Sequence, residues 1–552
     1  NPNAQTESLY REMWDALEDG SWNGDRDSWD THIKDMEWRA LTVDRRQCTG
    51  RRCRFVNQCP FFKARADIEE SEVIVANHDL VMADLALGGG AILPPPEDCI
   101  YICDEGHRLG DTAIRHFGAE CRINSTLAWL ERIPKQCKGQ APIFAKDTGL
   151  IEQLPRIERE AAKISELLSM AYPLLKEHLD SSDDYEGRFR FAHGDVGATI
   201  RDIAAQITLQ ASGWLGRLEV LEDTLSEALS DKQYSVTIPD VEVFYQQVGT
   251  WLSGAERLVS LWDRLHRELK QDAIPMACWL KLDDSGGGNL DISVNASPIQ
   301  AAEILRDSLW GNCYAAVITS ATLRSLGNFS TLQRETGIPD SAHFLSVAGA
   351  FDYAKSAVVR VPADAIEGNK AEEHTDYIVE NLASMVEDKA GTLVLFSSKK
   401  QMEQVFDELP NDLAKLILIQ GQYSNREMVR LHKERIDQGR TSVLLGLASF
   451  SEGVDLPGDY CRHVIIAKLP FAVPNDPLQQ ALAEWIEARG GNSFFDISLP
   501  LASLRLIQAA GRLLRTESDT GTVTILDKRL ITKRYGTQLL NALPPFSREI
   551  GT

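Results

Sequence analysis

The last part of the chain, from about residue 345, alternates short apolar runs with longer amphipathic stretches. The runs are four or five residues long, which is typical of strands buried on both faces. They lie at residues 392–396, 416–419, 443–447, 463–467 and 523–526. Helical periodicity separates several of them, as at residues 425–438. Strands that alternate with helices predict a parallel α/β sheet with right-handed crossovers.

The first part of the chain shows the same strand pattern around a long helical region. Residues 73–76, 100–103 and 315–318 are short apolar runs, and we expect them to form strands of a first α/β domain, with residues 100–103 buried. Between about residues 121 and 300, apolar residues recur at every third or fourth position, which indicates long amphipathic helices. The pattern therefore predicts a helical insert within the first α/β domain.

The composition is that of a globular protein. Hydrophobic residues make up 43% and charged residues 25% of the 552 positions, and this length fits three or four domains. No stretch approaches eighteen uninterrupted apolar residues, and no signal-like segment opens the chain. We therefore expect a cytoplasmic protein that does not associate with a membrane.

Positive charge is concentrated in one segment. The net charge of −23 excludes a uniformly basic DNA-binding exterior, so any nucleic-acid site must be local. Residues 41–65, called the basic segment below, contain one acid and seven cations: Arg45, Arg46, Arg51, Arg52, Arg54, Lys63 and Arg65. Phe55, Phe61 and Phe62 lie among them, and such a mixture suits a single-strand platform. Alternatively, the phenylalanines form a small core and the arginines are solvated.

Two adjacent carboxylates, Asp104 and Glu105, follow an apolar run. Nucleotides bind at the carboxyl ends of strands in α/β sheets, and Mg²⁺ prefers such oxygen ligands. Asp-Glu-x-His alone is a weak signal, but residues 508–515 near the other end of the chain strengthen it. These residues are predicted to be helical, with Arg512 and Arg515 on one face and able to reach the same phosphates. The acid pair and the arginine pair indicate a two-lobed nucleotide hydrolase.

Two further motifs follow predicted strands, Thr-Ser-Ala-Thr-Leu at residues 319–323 and Phe-Ser-Glu-Gly-Val-Asp at residues 450–455. In order and spacing, the four motifs resemble motifs II, III, V and VI of superfamily 2 helicases. The Asp-Glu-Gly-His form of motif II at residues 104–107 and the cysteines upstream of it narrow the resemblance to the DinG branch of the XPD-like iron–sulfur DNA helicases. Residues 527–536 are also similar to the C-terminal region of that branch.

The resemblance implies roles in hydrolysis for two pairs of residues. Asp104 would anchor Mg²⁺, largely through waters, while Glu105 would orient and deprotonate the water that attacks ATP. Arg512 and Arg515 would stabilise the charge that develops on the γ-phosphate, a contribution of about 10³–10⁵ in rate for arginine fingers.

The resemblance also implies residues that couple the nucleotide to DNA. Gln508 would sense the nucleotide, and Gly453 and Asp455 belong to the same nucleotide-binding set. Three motif V residues would link closure of the cleft to DNA contacts: Glu452, Gly453 and Asp455. Three residues, the first of them also assigned to the catalytic set, would join motif II to motif III and couple hydrolysis to movement: His107, Ser320 and Thr322.

Cys48, Cys53 and Cys59 lie in the basic segment with C-x₄-C-x₅-C spacing. Clustered cysteines in a cytoplasmic protein favour metal binding over disulfides. Three thiolates can hold one face of an iron–sulfur cluster, which normally has four ligands. Zinc, with His32 or His78 as fourth ligand, is the alternative. The resemblance favours a 4Fe–4S cluster whose first ligand lies further upstream, and the other seven cysteines are predicted to be small core residues.

The phosphate-binding loop Gly-x-x-x-x-Gly-Lys-Ser/Thr does not occur in the sequence. In the family that the motifs resemble, this loop lies upstream of the cysteines. We therefore expect the chain to be a fragment without its N-terminal portion. The alternative is a degenerate relative that does not depend on ATP.

The motifs and patterns together predict an α/β protein with two RecA-like motor domains, the first of them incomplete. We expect the remnant of an iron–sulfur domain at residues 1–70, the first motor at 71–120 and 301–344, a helical arch-like insert at 121–300 and the second motor at 345–552. The leading function is an ATP-dependent DNA helicase that acts on single-stranded and forked DNA in repair or replication, with 5′→3′ polarity by resemblance. The alternatives are a non-enzymatic single-strand or fork-binding relative and a DNA-processing nuclease built on the same motor.

Residues 1–552 expressed alone are expected to show no DNA-stimulated ATP hydrolysis, because the γ-phosphate lacks the amides and the lysine of a phosphate loop. The same protein should hold a labile, substoichiometric cluster. The measurements are ATP turnover with and without single-stranded DNA, and iron and sulfide per chain, before and after extension upstream. Strong ATP hydrolysis by residues 1–552 would contradict the fragment interpretation.

Overall fold

Two units make up the chain in the computed structural model. The first comprises Asn1–Cys99 and Thr112–Ile299, and the second comprises Ile100–Asp111 and Gln300–Thr552. The structure describes residues 4–31, 33–182, 184, 187–229, 236–268, 273–284, 290–386, 388–447, 450, 454–472 and 475–551.

Within these residues, thirteen strands form three sheets. In chain order the strands are β1 (Ile100–Cys103), β2 (Ala119–Arg122), β3 (Arg188–Phe191), β4 (Met276–Asp284), β5 (Leu290–Pro298), β6 (Ala315–Ile318), β7 (Ala357–Val361), β8 (Gly391–Phe396), β9 (Ile417–Ile419), β10 (Ser442–Leu447), β11 (His463–Ile466), β12 (Gly521–Ile525) and β13 (Ser547–Ile550).

A seven-stranded sheet dominates the second unit. Its order is β13-β7-β12-β11-β8-β10-β9, and all neighbouring strands are parallel. The central strands are buried along their length because apolar clusters cover both faces. The five strands predicted for this region are confirmed. The two strands at one side of the sheet, β7 and β13, were not predicted, and a 2.8 Å ion pair between Arg360 and Glu549 joins them.

β1 and β6 form a two-stranded parallel sheet, and motifs II and III follow these two strands. Cys103 lies opposite Ile318 at its carboxyl end. The prediction that residues 100–103 form a buried strand is wrong about burial, since Ile100 of β1 is 61% exposed and Ile102 is 71% exposed. The predicted strand at residues 73–76 is also wrong: this segment has no ladder partner, and its valines are solvent-exposed.

The first unit combines long helices with a four-stranded antiparallel sheet of order β2-β5-β4-β3. The predicted helices of the insert are present, and their apolar stripes bury Trp214, Trp251 and Trp262 in one core. The helix Ile238–His266 begins where Thr237 Oγ1 accepts a 3.3 Å hydrogen bond from the amide of Asp240. The antiparallel sheet was not predicted.

The helices of the first unit are Ala4–Glu18, Asp35–Arg39, Pro60–Glu70, His78–Ala86, Ile123–Leu130, Ile133–Gln140, Thr148–Ile151, Leu154–Asp180, Gly197–Ala228 and Ile238–His266. The helices of the second unit are Ala302–Leu305, Ser330–Thr336, Tyr353–Ser356, Ala371–Met385, Lys399–Glu408, Asn411–Ala414, Asn425–Asp437, Pro477–Glu487, Leu499–Ala510, Arg529–Thr532 and Arg534–Ala542. The helix Leu109–His116 spans the boundary between the two units along the chain. None of the helices in the described ranges has both the length and the apolar character that crossing a membrane requires.

Two buried histidines form hydrogen bonds within the second unit. His432 lies 2.9 Å from Ser442 Oγ and 2.8 Å from the carbonyl oxygen of Tyr460. His463 lies 2.7 Å from Thr524 Oγ1 and 2.8 Å from a backbone carbonyl oxygen. Burial disfavours the charged imidazolium and lowers the pKa of each histidine from 6.5 to about 4.

These histidines make stability depend on pH. In the unfolded chain they take up protons below about pH 6.5, whereas in the folded chain they do so only near pH 4, so stability is lost as the pH falls through this window. At pH 5 the loss is about 2 kcal/mol per histidine. Urea unfolding midpoints at pH 7 and pH 5 measure it. His432→Gln should reduce the difference between the two midpoints, whereas His343→Gln, at an exposed position, should leave it unchanged.

Candidate active site

The turn after β1 holds the acid pair in place. Asp104 is exposed, and its Oδ1 accepts a 3.0 Å hydrogen bond from the amide of Glu105. Glu105 itself adopts the left-handed conformation, with φ 49° and ψ 42°, which costs about 1 kcal/mol or more for a residue with a side chain. The next residue must be glycine, because a Cβ on Gly106 would lie 2.2 Å from Ile318 Cγ2. The Gly106 amide donates to the carbonyl of Thr319 at 3.0 Å, so the turn is fixed to the end of β6.

Side chains of motifs II and III form a connected set of hydrogen bonds. The Ser320 hydroxyl donates to Glu105 Oε2 at 2.9 Å. His107 Nδ1 lies 3.0 Å from Ser320 Oγ and 3.2 Å from Glu105 Oε2. The amide of Thr322 donates to Ser320 Oγ at 3.2 Å. The orientation of the Glu105 carboxylate is therefore set by groups that lie more than 200 residues away along the chain.

The same set extends to motif VI. Gln508 lies on the helix Leu499–Ala510, and its Nε2 donates to Thr322 Oγ1 at 3.2 Å. Thr322 is buried, with 6% exposure, so this bond is shielded from water. The structure thus brings five of the predicted site residues together in one path: Glu105, His107, Ser320, Thr322 and Gln508.

The two motif VI arginines are not on a helix, contrary to the prediction. The helix ends at Ala510 with Gly511 as its C-cap, and the chain continues in turns in which Arg512 donates its amide to Ala509 at 3.3 Å. Asp519 accounts for the turn, because its carboxylate accepts the amides of Arg515 and Thr516 at 2.7 and 2.8 Å. A chain held in this way cannot continue the i→i−4 pattern of an α-helix.

Asp519 is a site residue that the sequence analysis missed. Burial raises the pKa of its carboxyl group, but hydrogen bonds from Thr516, Arg515 and Gly458 outweigh burial and lower the pKa below the ordinary value. A local signal in the sequence could have indicated it, because threonine and aspartate often stabilise turns through their side chains. Here the Thr516 hydroxyl donates to Asp519 Oδ1 at 2.6 Å.

The side chain of Arg515 contacts motif V. Its Nη2 donates to the carbonyl of Val454 at 3.0 Å, and its Nε lies 3.5 Å from Asp455 Oδ1. The Arg515 side chain is 29% exposed and that of Asp455 is 76% exposed. Of the other motif V residues predicted to act, Glu452 and Gly453 lie outside the described residues.

Comparison with known proteins identifies the fold and the family. Residues 380–546 match the family described as the helicase C-terminal domain. The chain is 37% identical over 552 residues to the ATP-dependent DNA helicase DinG of Photobacterium profundum, an alignment that covers 98% of this chain and 78% of that protein. It is 33% identical over 544 residues to the ATP-dependent DNA helicase DinG of Escherichia coli K12, covering 97% and 74% of the two chains.

The chain belongs to the DinG family. The predicted family is therefore confirmed. Among solved structures, an XPD helicase matches this DinG-family chain with a TM-score of 0.51 at 16% sequence identity, over 89% of this chain and 75% of that one. This likeness shows a shared fold, so the predicted α/β class with a helical insert is confirmed as well.

The three cysteines that the DinG resemblance singled out lie in loops of the first unit. Cys48, Cys53 and Cys59 are half-buried free thiols. The amide of Gly50 donates to Cys48 Sγ at 3.4 Å, and Cys59 is the N-cap of the helix Pro60–Glu70.

The described side chains do not form a metal centre. Among the residues that the structure describes, no three His, Cys, Asp or Glu side chains come together as a metal-binding group. Of the two histidines predicted as zinc ligands, His78 starts a helix and joins no such group among the described residues, and His32 lies outside them. Cys48, Cys53 and Cys59 therefore do not form a preassembled metal site within the described part of the chain.

Five of the remaining cysteines are buried, as predicted for core residues. They are Cys103, Cys121, Cys137, Cys278 and Cys461. Burial raises the pKa of their thiols to about 11 or about 12. Thiols with such pKa values are poor ligands and poor nucleophiles at neutral pH, which fits a role in core packing.

Much of the basic segment packs on acidic helices of this DinG-family insert. Arg46 lies 3.0 Å from Glu222, 2.5 Å from Glu256 and 3.6 Å from Glu219. The backbone approaches closely too, since a Cβ on Gly249 would lie 2.4 Å from the Arg46 carbonyl oxygen. Arg46 is therefore an internal bridge, which the platform prediction did not foresee.

Two other arginines of the segment also have protein partners. Arg54 lies 3.4 Å from Glu242, and Arg52 donates to Ser226. Arg45, Arg51 and Lys63 are exposed and face solvent. Two of the interleaved phenylalanines remain accessible, Phe55 at 41% and Phe61 at 53%. Fewer residues of the basic segment are therefore available to a single strand than its sequence suggests.

Proposed function

We propose that this chain works as an ATP-dependent DNA helicase that moves 5′→3′ on single-stranded DNA at forks, in repair or replication. The relatives that establish its family are ATP-dependent DNA helicases. The observation that carries the proposal is the path of hydrogen bonds from Glu105 through Ser320 and Thr322 to Gln508. It connects the acid pair to the motif VI helix, as a motor requires if hydrolysis is to move one part of the protein against another.

Glu105 is the proposed general base. Its side chain is 60% exposed, so a water molecule can reach the carboxylate, while the bond from Ser320 fixes its direction. A base must lie within hydrogen-bond reach of the proton that it accepts, and the left-handed turn holds the carboxylate beyond the end of β1. His107, 3.2 Å from Glu105 Oε2, would stabilise the carboxylate when its ring nitrogen carries a proton.

Asp104 is the proposed magnesium ligand. One of its oxygens accepts from the Glu105 amide, and the side chain is exposed to solvent. A single carboxylate with water and phosphate oxygens is the usual protein contribution to a Mg²⁺ site, so the residue fits the ion. When bound there with ATP, Mg²⁺ neutralises charge on the phosphates.

The proposed roles of the two arginines differ. Arg512 follows the end of the helix that carries Gln508, and we assign its guanidinium to the γ-phosphate. Arg515 would act through motif V, because its contacts with Val454 and Asp455 join the two motifs. A nucleotide that draws Arg512 toward it would therefore also pull on the segment that includes Asp455.

Single-stranded DNA is the proposed partner of the exposed part of the basic segment. Arg45, Arg51 and Lys63 would contact phosphates, and Phe55 and Phe61 would stack on bases. The assignments in the basic segment rest on exposure and residue type. We also propose that Glu452, Gly453 and Asp455 link closure of the nucleotide cleft to the DNA contacts, as the family implies.

An iron–sulfur cluster held by Cys48, Cys53 and Cys59 remains part of the proposal. Its support is the spacing of the three cysteines, the hydrogen bond from the Gly50 amide to Cys48 Sγ, and membership of the DinG family. A cytoplasmic location fits the ten cysteines, all of which are unpaired in the structure. The four-part division at residues 1–70, 71–120 with 301–344, 121–300 and 345–552 is likewise proposed.

Glu105→Gln in the full-length gene product tests the proposed base. The amide oxygen of glutamine still accepts from Ser320, so the turn is retained, but the side chain no longer accepts a proton. We expect kcat for ATP to fall about 10²–10⁴-fold with little change in ATP affinity. The control is Glu97→Gln, at an exposed position before β1, which should keep normal turnover. Near-normal turnover in Glu105→Gln would rule out this assignment.

Arg512→Ala tests the arginine assignment. The substitution should reduce ATP turnover at least about 10³-fold while single-stranded DNA affinity stays within about twofold, because the proposed partner is the nucleotide. Arg512→Lys should recover little, since lysine lacks the planar fork of donors. Arg426→Ala, on the exposed face of the helix Asn425–Asp437, is the matched control. Loss of DNA binding with retained hydrolysis would place Arg512 on the DNA path instead.

A further inference from the structure

A tight turn follows motif III. Ser325 and Asn328 exchange two backbone hydrogen bonds of 3.0 Å, which close a two-residue loop. Both residues of the loop have positive φ, 48° for Leu326 and 88° for Gly327. Loops of this kind favour asparagine or glycine at the first position, because a side chain there is strained. Leucine is an unexpected choice for the backbone.

The leucine side chain explains the choice. Leu326 packs against the apolar core of the seven-stranded sheet, a cluster that includes Leu499 and Leu506 of the motif VI helix. Its amide donates to the hydroxyl of Ser503 on the same helix at 3.4 Å, and Ser503 is fully buried. The turn therefore lies against the apolar core of the seven-stranded sheet, and an apolar and a polar contact hold it there.

The base of the turn is also fixed. The buried hydroxyls of Ser325 and Thr331 lie 2.6 Å apart. Asn328 Oδ1 accepts the amide of Ser330 at 3.0 Å, where the helix Ser330–Thr336 begins. These contacts attach the turn to the helix that follows it, and on the other side Arg324, directly after motif III, donates to the carbonyl of Gly327 at 2.6 Å. A displacement of motif III would therefore move Leu326 with it.

Two contacts, not one, join this segment to the motif VI helix. Thr322 meets Gln508, and Leu326 meets Ser503 five residues earlier, about 7.5 Å along a helix axis. A single contact leaves a helix able to slide or rotate, whereas two spaced contacts fix both. Arg334 adds a bond to the carbonyl of Asp496 beyond the other end of the helix.

We propose that Leu326 and Ser503 are positioning residues that keep the motif VI helix in register with motif III, so that Gln508 and Arg512 follow motif III when DNA binds. The inference rests on the proposed helicase function and goes beyond it by assigning the coupling to two residues outside the helicase motifs. A role in core packing alone predicts lower stability without a change in coupling.

Leu326→Gly is the main test, in the full-length gene product. Glycine suits the positive φ, so the turn is kept while the apolar contact is lost. The readouts are basal and DNA-stimulated kcat, ATP KM, base pairs unwound per ATP and the thermal midpoint. We expect DNA stimulation and unwinding per ATP each to fall at least about fivefold, the lower end of typical coupling between sites, while basal kcat and KM stay within about twofold. Ser503→Ala should act in the same direction.

Matched controls separate coupling from packing. Leu431→Ala removes a half-buried leucine that packs on the same core cluster from the helix Asn425–Asp437. Ser498→Ala removes the hydroxyl of the N-cap residue of the motif VI helix, which lies five residues before Ser503 and makes no side-chain cap hydrogen bond. Both should keep the ratio of stimulated to basal turnover. Leu326→Met, which keeps the packing volume, should restore most of the coupling.

The outcomes are distinct. If the unsubstituted protein shows no DNA-stimulated hydrolysis, the proposed function itself fails. If it is stimulated, and Leu326→Gly and Leu431→Ala change the ratio equally or not at all, the positioning role is overturned. If Leu326→Gly does not fold, Ser503→Ala with Leu326→Met decides: loss of coupling in the first and its retention in the second supports the role, and any other pair of results overturns it.

Discussion

The hydroxyl group of Ser320 is the point on which the site depends. A hydroxyl has one proton and two lone pairs. The proton is directed to Glu105 Oε2 at 2.9 Å, and the oxygen accepts the amide of Thr322 at 3.2 Å. A hydrogen bond to a carboxylate is charge-assisted and therefore stronger than one between neutral groups. Because the same hydroxyl also binds the amide of Thr322, whose side chain accepts from Gln508, a change at Glu105 would reach motif III directly and motif VI through Thr322.

The strands of the large sheet could be predicted because strands buried on both faces are continuous apolar runs. β13, with the sequence Ser-Arg-Glu-Ile, could not, because an edge strand needs no apolar run. β5 was missed for another reason: polar residues, including Asp291 and Asn295, are buried along it, and they obscure the apolar pattern. In each case the tertiary environment, not the local sequence, decides whether the residues form a strand.

The motifs singled out the five residues that the structure joins by hydrogen bonds, but they did not indicate how these residues connect. Glu105 and Ser320 are 215 positions apart, and nothing local indicates that they share a proton. The helix that was expected to carry Arg512 and Arg515 ends at Ala510, and further along Asp519 binds the amides of Arg515 and Thr516, a competition with helical hydrogen bonding that periodicity does not register. As a consequence, the two arginines differ in their surroundings despite their regular spacing.

The positions of charged residues in the sequence likewise do not show which partners they have in the fold. Arg46 belongs to a basic segment, yet in the fold it lies among carboxylates from helices some 170 to 210 residues later in the chain. Burial of the guanidinium lowers the pKa of Arg46, but the neighbouring acids, Glu256 foremost, raise it above the ordinary value. In a chain with a net charge of −23, cations find acidic partners within the protein. The cations available to a nucleic acid are then those that the fold leaves exposed.

Backbone strain in the second unit marks the positions where side-chain identity matters most. Within its described residues, three residues other than glycine have positive φ: Glu105, Leu326 and Lys389. Glycine would relieve the strain at each, but it would remove the carboxylate at Glu105 and the apolar contact at Leu326. A conformation that costs about 1–3 kcal/mol persists only where surrounding contacts outweigh the cost. At Glu105 those contacts are the bonds from Ser320 and the fixed Gly106, and at Leu326 they are the core and Ser503. Motif II thus contains, and the turn after motif III carries, a residue whose backbone is held against its preference, so that its side chain is fixed where a flexible turn would not keep it.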